Sequence, residues 1–219
     1  MSTITTGCER IGHGGASALV AANTLASFDA AVQIGVDTIE FDVRAARGEL
    51  VLAHTALDAR REPGACLREA LAHLCAPRYH EIGLNVDLKH PGCEGVLLDA
   101  LWDAGLLERT VVCSQLTMVL DRIRALEPRA RTGISIGGRL ARLSRRWADW
   151  RGQVLAGIAL RRWDVLMAQH KLVDAGLLSD VAARGGLLYA WTVNDRSEID
   201  RLRGLGVHGI VSADPRLVG

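Results

Sequence analysis

Thr38-Ile39-Glu40-Phe41-Asp42-Val43 reads as a β-strand with an uncommon division of labour. Successive side chains of a strand point to opposite faces, so Ile39, Phe41 and Val43 share one face and Glu40 and Asp42 the other. Downstream, Asn85-Val86-Asp87-Leu88-Lys89 repeats the device: Asn85, Asp87 and Lys89 face together, and Val86 and Leu88 face away. Two neighbouring strands that each give one face to apolar residues and the other to carboxylates imply a sheet whose polar face surrounds a site.

Outward from this pair, short β-branched runs alternate with helical stretches along the whole chain, the pattern of a parallel sheet covered by helices. The strand candidates are Arg10 to His13, Thr38 to Val43, Leu84 to Lys89, Thr110 to Ser114, Arg131 to Ile136, Val165 to Gln169, Leu187 to Val193 and Gly209 to Ser212. Asn23 to Gln33, Cys66 to Leu74, Gly95 to Ala104, Leu116 to Leu126, Arg142 to Trp150, Val173 to Arg184 and Ser197 to Leu205 read as amphipathic helices. Gly35, Gly105, Gly185 and Gly206 fall just past helix ends, where a left-handed residue is needed. Eight strands favour a closed (β/α)₈ barrel, residues 1–219 as one domain, over a doubly wound sheet. In such a barrel polar residues at the C-terminal strand ends carry the functional weight.

Three carboxylates converging in a barrel mouth repel one another and are costly to desolvate unless a cation neutralises them. Glu40, Asp42 and Asp87 are therefore candidate ligands of one divalent metal, and oxygen-only ligation favours Mg²⁺ or Ca²⁺ over Zn²⁺. The competing arrangement is a salt-bridge network with Lys89 and no metal. His13 ends the first strand, and His54 ends the run Leu50-Val51-Leu52-Ala53-His54, so both land beside the carboxylates. Their side chains titrate near neutrality, which suits one to take a proton and the other to donate one.

The bulk composition narrows the class. With 49% apolar and 23% charged residues the chain is globular, and a net charge of +1 gives no global signal for nucleic acid or an anionic membrane. Residues 1–10 lack the features of a signal peptide and no apolar run approaches the ~20 residues that span a bilayer, so a cytoplasmic location is expected. The five cysteines are scattered without a CxxC pair, as suits reduced thiols. Cys66, His73, Cys75 and His80 fit no familiar zinc spacing. Between Arg139 and Trp163, six arginines interleave with Trp147, Trp150 and Trp163. Such a mixture can bind anions or a membrane interface, but a solvated helix face with tryptophans packed on the barrel is the expectation.

Together these motifs resemble the glycerophosphodiester phosphodiesterase (GDPD) family of the PLC-like phosphodiesterase TIM-barrel superfamily. His13-Gly14-Gly15 resembles HRG, Asn23-Thr24-Leu25 with Phe28 resembles ENTLxAF, and Gly35 to Asp42 resembles GADxIExD. Val51 to His54 resembles VVxHD, Asp87-Leu88-Lys89 resembles ExK, Trp191 to Asn194 matches WTVN, and Gly209 to Pro215 resembles GIxTDxP. The resemblance implies metal ligands at Glu40, Asp42 and Asp87, acid/base roles for His13 and His54, a phosphate contact from Lys89 and a pocket wall at Trp191. It implies a small phosphodiester of lipid metabolism as substrate.

Four positions depart from the family pattern. Gly14 stands where an arginine is expected, Ala22 and Thr55 where acids are expected, and Asp87 where glutamate is usual. Asp87 followed by a lysine is similar to the sphingomyelinase D relatives, whose products are cyclic phosphates. A diverged lyase or transferase on the same site, and a catalytically silent barrel used for binding, are thus the alternatives to a hydrolase. The capping insertion common after the second histidine is nearly absent, which implies an open mouth, suited to a large substrate or to a lid from a partner or a second copy of the chain.

Overall fold

The computed structural model describes residues 7–61, 64–138 and 149–219. Eight parallel strands close into a barrel: β1 (Glu9–His13), β2 (Thr38–Ala46), β4 (Gly83–Leu88), β5 (Thr110–Ser114), β6 (Arg131–Ile136), β7 (Val165–Gln169), β8 (Leu187–Trp191) and β9 (Gly209–Ser212). They pair in that order, and β1 closes the ring by bonding to both β2 and β9. The helices are α1 (Leu25–Ile34), α2 (Ala56–Arg61), α3 (Leu67–Leu74), α4 (Glu94–Asp103), α5 (Thr117–Leu126), α6 (Trp150–Ala159), α7 (Ala175–Ala182) and α8 (Arg196–Leu205). The expected (β/α)₈ barrel is the fold.

A ninth strand, β3 (Glu49–Leu52), was absent from the sequence expectation as a barrel element. It is antiparallel to the outer end of β2, joined through Arg47 and Gly48, both at positive φ (52° and 85°). Two successive left-handed residues make the tight turn whose twist matches a hairpin. Because Val43 pairs with Leu52 and Ala53 N donates to Asp42 O, the returning strand delivers His54 beside Asp42. A hairpin, not a barrel strand, supplies the second histidine.

The period-two reading of β2 and β4 holds. Ile39, Phe41, Val43, Val86 and Leu88 all lie in the buried layer between strands and helices, with Phe41 and Phe28 of α1 at 5.3 Å between ring centroids. On the opposite arc Leu166, Ala168, Leu188 and Ala190 meet Leu177, Val181, Ile199 and Leu202 in the same way. Inside the barrel Ile11, Val111, Cys113, Val165, Met167, Tyr189 and Val211 pack together beneath the mouth. No helix of the described residues is long and apolar enough to cross a membrane.

Helix ends obey their local chemistry. Thr24, Asp174 and Asp195 accept from the backbone amides of Ser27, Leu177 and Glu198 at the starts of α1, α7 and α8. The expectation of a helix over Arg142 to Trp150 falls mainly outside the described residues, and α6 begins at Trp150, where that helix was expected to end. Of the arginine and tryptophan segment, Trp163 is buried and Arg162 is bonded to Asp121 while lying 4.9 Å over the Trp163 ring. Arg142, Arg145, Arg146 and Trp147 lie outside the described residues.

Candidate active site

Strand register assembles the site. Asp42 stands opposite Asp87, and Glu40 stands opposite both His13 and Asn85. Ligand oxygens of Glu40, Asp42 and Asp87 lie within 4.8 Å of one another, the expected cluster. His13 Nε2 is 4.0 Å from Glu40 Oε2, and His54 Nδ1 is 3.1 Å from Asp42 Oδ2. Lys89 Nζ bridges the two aspartates, 2.7 Å from Asp42 Oδ1 and 2.6 Å from Asp87 Oδ2. All five carboxylate and histidine positions singled out in the sequence therefore meet, with Lys89 among them.

Two supports escaped the sequence reading. Asn23, at φ 60° just before the α1 cap, clamps Asp42 at both ends: its Nδ2 donates to Asp42 Oδ2 (2.9 Å) and its Oδ1 accepts from Asp42 N (2.9 Å). Asparagine tolerates this left-handed backbone better than most residues. Gly14 N donates to Glu40 Oε2 at 2.9 Å, so the position that lacks the family arginine still serves through its amide. The signal for Asn23 was present in its motif, but nothing in the local pattern tells that its side chain reaches a strand 19 residues away.

Electrostatics divides the cluster. Burial, reinforced by Asp42, raises Glu40 well above the ordinary carboxylate range, and burial likewise raises Asp87. Burial pushes Asp42 upward, but the hydrogen bond with His54, the Lys89 charge and the bond from Asn23 prevail and hold it low. Burial opposes the Lys89 charge, yet Asp87, Asp42 and Glu40 together raise its pKa above the ordinary value. Burial lowers His13, whereas the hydrogen bond to Asp42 raises His54.

These residues fit a hard divalent cation. Among the described residues Asp87 Oδ1 is buried with no hydrogen-bond partner, and Asp42 Oδ1 is buried beside the Lys89 ammonium at 2.7 Å, an ion pair without hydrogen-bond geometry. A buried carboxylate oxygen without a partner in an all-oxygen cluster is what a divalent cation satisfies.

The pocket over the cluster has a volume of about 480 Å³ including its open mouth. Trp191 forms one wall, its Nε1 donating to Met167 O at 2.9 Å. Gly137 makes room for that indole: at φ 146°, a Cβ there would meet Trp191 Cζ2 at 2.9 Å. Gln115 and Ser135 also line the pocket.

A closed parallel barrel with acids, two histidines and a lysine gathered in its mouth defines a (β/α)₈-barrel enzyme of the phosphodiesterase type. The chain belongs to the glycerophosphoryl diester phosphodiesterase family, whose family model matches residues 13–60 and 97–217. YhdW of Bacillus subtilis (strain 168), provisionally named a glycerophosphodiester phosphodiesterase, is 27% identical, with 95% of each chain covered. A glycerophosphodiester phosphodiesterase structure from Parabacteroides distasonis superposes with a TM-score of 0.78 at 19% identity, covering 97% of this chain and 96% of that one. A phosphodiesterase from Oleispira antarctica, solved with its product sn-glycerol-3-phosphate, superposes with a TM-score of 0.75 at 22% identity, covering 95% and 94%.

Proposed function

We propose that this chain hydrolyses a glycerophosphodiester or a closely related phosphodiester, with one Mg²⁺ or Ca²⁺ held by Glu40, Asp42 and Asp87. The observation that carries the reading is three carboxylates within 4.8 Å, one with a buried unpartnered oxygen, set between two histidines. The bound cation would polarise the phosphoryl oxygens and stabilise the charge that builds on them. Lys89 adds a second positive contact to the phosphate. Asp42 accepts from His54 Nδ1, fixes the ring and leaves Nε2 toward the mouth for proton exchange. His13, against Glu40, is the other proton-exchanging group, so one histidine takes a proton from the attacking oxygen while the other gives one to the leaving alcohol. Trp191 packs against the substrate.

The test is hydrolysis of a phosphodiester panel by metal-depleted protein, with Mg²⁺ or Ca²⁺ added back and products followed by phosphorus NMR. Restoration of activity by the metal, with a phosphomonoester and free alcohol as end products, is expected. Full activity in chelator, or full activity of Asp42→Ala, would sink the proposal. A cyclic phosphate that persists would replace hydrolysis by the lyase chemistry.

A further inference from the structure

Beside the acidic cluster lies a second pocket, about 590 Å³ including its open mouth, that shares His54, Asp87, Lys89 and Gln115 with the first. The feature it adds is Arg44. Among the described residues no arginine lines the cluster pocket, and Arg44 is the arginine that lines its neighbour. Arg44 stands two residues beyond Asp42 on β2, hence on the same strand face.

Its Nε donates to His54 O at 2.9 Å, which anchors the guanidinium at the pocket wall. Its Nη groups bond to no acceptor among the described residues. Asp58 is an exposed acid close enough to feel Arg44, and its Oδ2 accepts from the Thr55 amide at 3.0 Å, with no ion pair to Arg44. Lys89, by contrast, is bound to two aspartates. Arg44 is thus a half-buried cation anchored through Nε, with its Nη groups unfilled among the described residues, in a pocket that shares His54, Asp87 and Lys89 with the cluster.

We infer that this pocket recognises an anionic group on the second alcohol of the diester, a phosphomonoester or a carboxylate, and that Arg44 is the residue that selects it. A guanidinium fork matches two oxygens of either group. A choline-like cation placed there would meet Arg44 and Lys89 with like charge, and a neutral alcohol would leave the fork unfilled. Gln115, exposed between the two pockets, has a side-chain amide available to the same group. The inference rests on the diester-hydrolase assignment above and specifies its substrate class.

The experiment compares glycerophosphoglycerol with the counterpart bearing a terminal phosphate, by initial rates on wild type, Arg44→Gln and Arg44→Lys. Wild type should prefer the phosphorylated compound by about tenfold in kcat/KM, as one charge-assisted contact supplies, with the difference in KM. Arg44→Gln should bring that ratio near one and Arg44→Lys should keep part of it. A wild type without the preference, or a variant that loses both substrates equally, overturns the inference, the second because it would mark a purely structural role through His54. If wild type hydrolyses neither compound, the hydrolase assignment fails separately. Calorimetric titration of both compounds into wild type and Arg44→Gln then decides the pocket, the same ratio being expected in Kd and a ratio of one overturning it.

Discussion

The barrel holds inward-facing carboxylates at both ends, half-buried at the foot and mostly buried at the mouth, and they are treated in opposite ways. At the foot, Glu9 takes a hydrogen bond on each oxygen, from Tyr189 Oη at 2.7 Å and from Thr38 Oγ1 at 3.1 Å. At the mouth, Asp87 Oδ1 has no hydrogen-bond partner among the described residues, and Glu40 is raised by burial and by its acidic neighbour. An acid whose lone pairs are filled by hydroxyls is finished as structure, whereas one left open needs something from outside the chain. Position in the same strand architecture does not distinguish them, because β1, β2 and β4 all send these acids inward. Hydrogen-bond satisfaction does.

The sharpest way to break that contrast is at the open end. Asp42→Ala should reduce turnover by on the order of 10³-fold or more, since it removes a candidate ligand and the orienter of His54 at once. Initial rates at saturating metal check it. In wild type, a divalent cation at a hundred times its Kd should add roughly 2.7 kcal/mol of stability, read as a shift in thermal midpoint, and Asp42→Ala should lose most of that shift. His54→Ala should lower kcat by about 10² to 10⁴-fold while leaving the metal-induced stabilisation in place, which separates proton transfer from ligation.

Smaller effects are expected away from the mouth. Tyr189→Phe strips one donor from Glu9 and should cost about 1–3 kcal/mol in chemical denaturation. Turnover should be unchanged, because Tyr189 lies beneath the site and not in it. If this variant instead lost activity with stability intact, the foot could not be called structural. The smallest effect is at Glu198, where bonds from Arg201 and then His170 hold the carboxyl at about 2, below its ordinary 4.5. Its folded pKa is depressed, so the stabilisation is full above about 4.5 and is lost as pH falls toward about 2. Glu198→Gln should flatten that stretch of the stability profile by no more than ~1 kcal/mol, given the shallow site.

Much of the site was legible because a strand has a period of two. That rule alone put Glu40 and Asp42 together and Asp87 with Lys89, and the parallel pairing of β2 with β4 turned two faces into one cluster. His13 was legible as a strand end. His54 was legible in position but not in mechanism of delivery, because the turn at Arg47-Gly48 and the antiparallel return of β3 are set by two left-handed residues rather than by a hydrophobic pattern. Asn23 was not legible as a clamp, since a contact from a loop to a strand leaves no periodicity. Nor was α6, a helix without a polar and an apolar stripe to reveal it, whose buried Val154, Leu155 and Ile158 meet the β6 to β8 arc.

The sequence by itself determined the barrel, its polar inner face and the residues that crowd its mouth, because alternation along each strand is a local property fixed by backbone geometry. Only the tertiary structure decided which of those crowded groups are satisfied. Lys89 between Asp42 and Asp87, Asn23 on Asp42, the open oxygen of Asp87 and the unfilled fork of Arg44 all depend on distances between elements far apart in the chain. Hydrogen bonds and ion pairs are decided within tenths of an ångström, and no one-dimensional pattern carries that information.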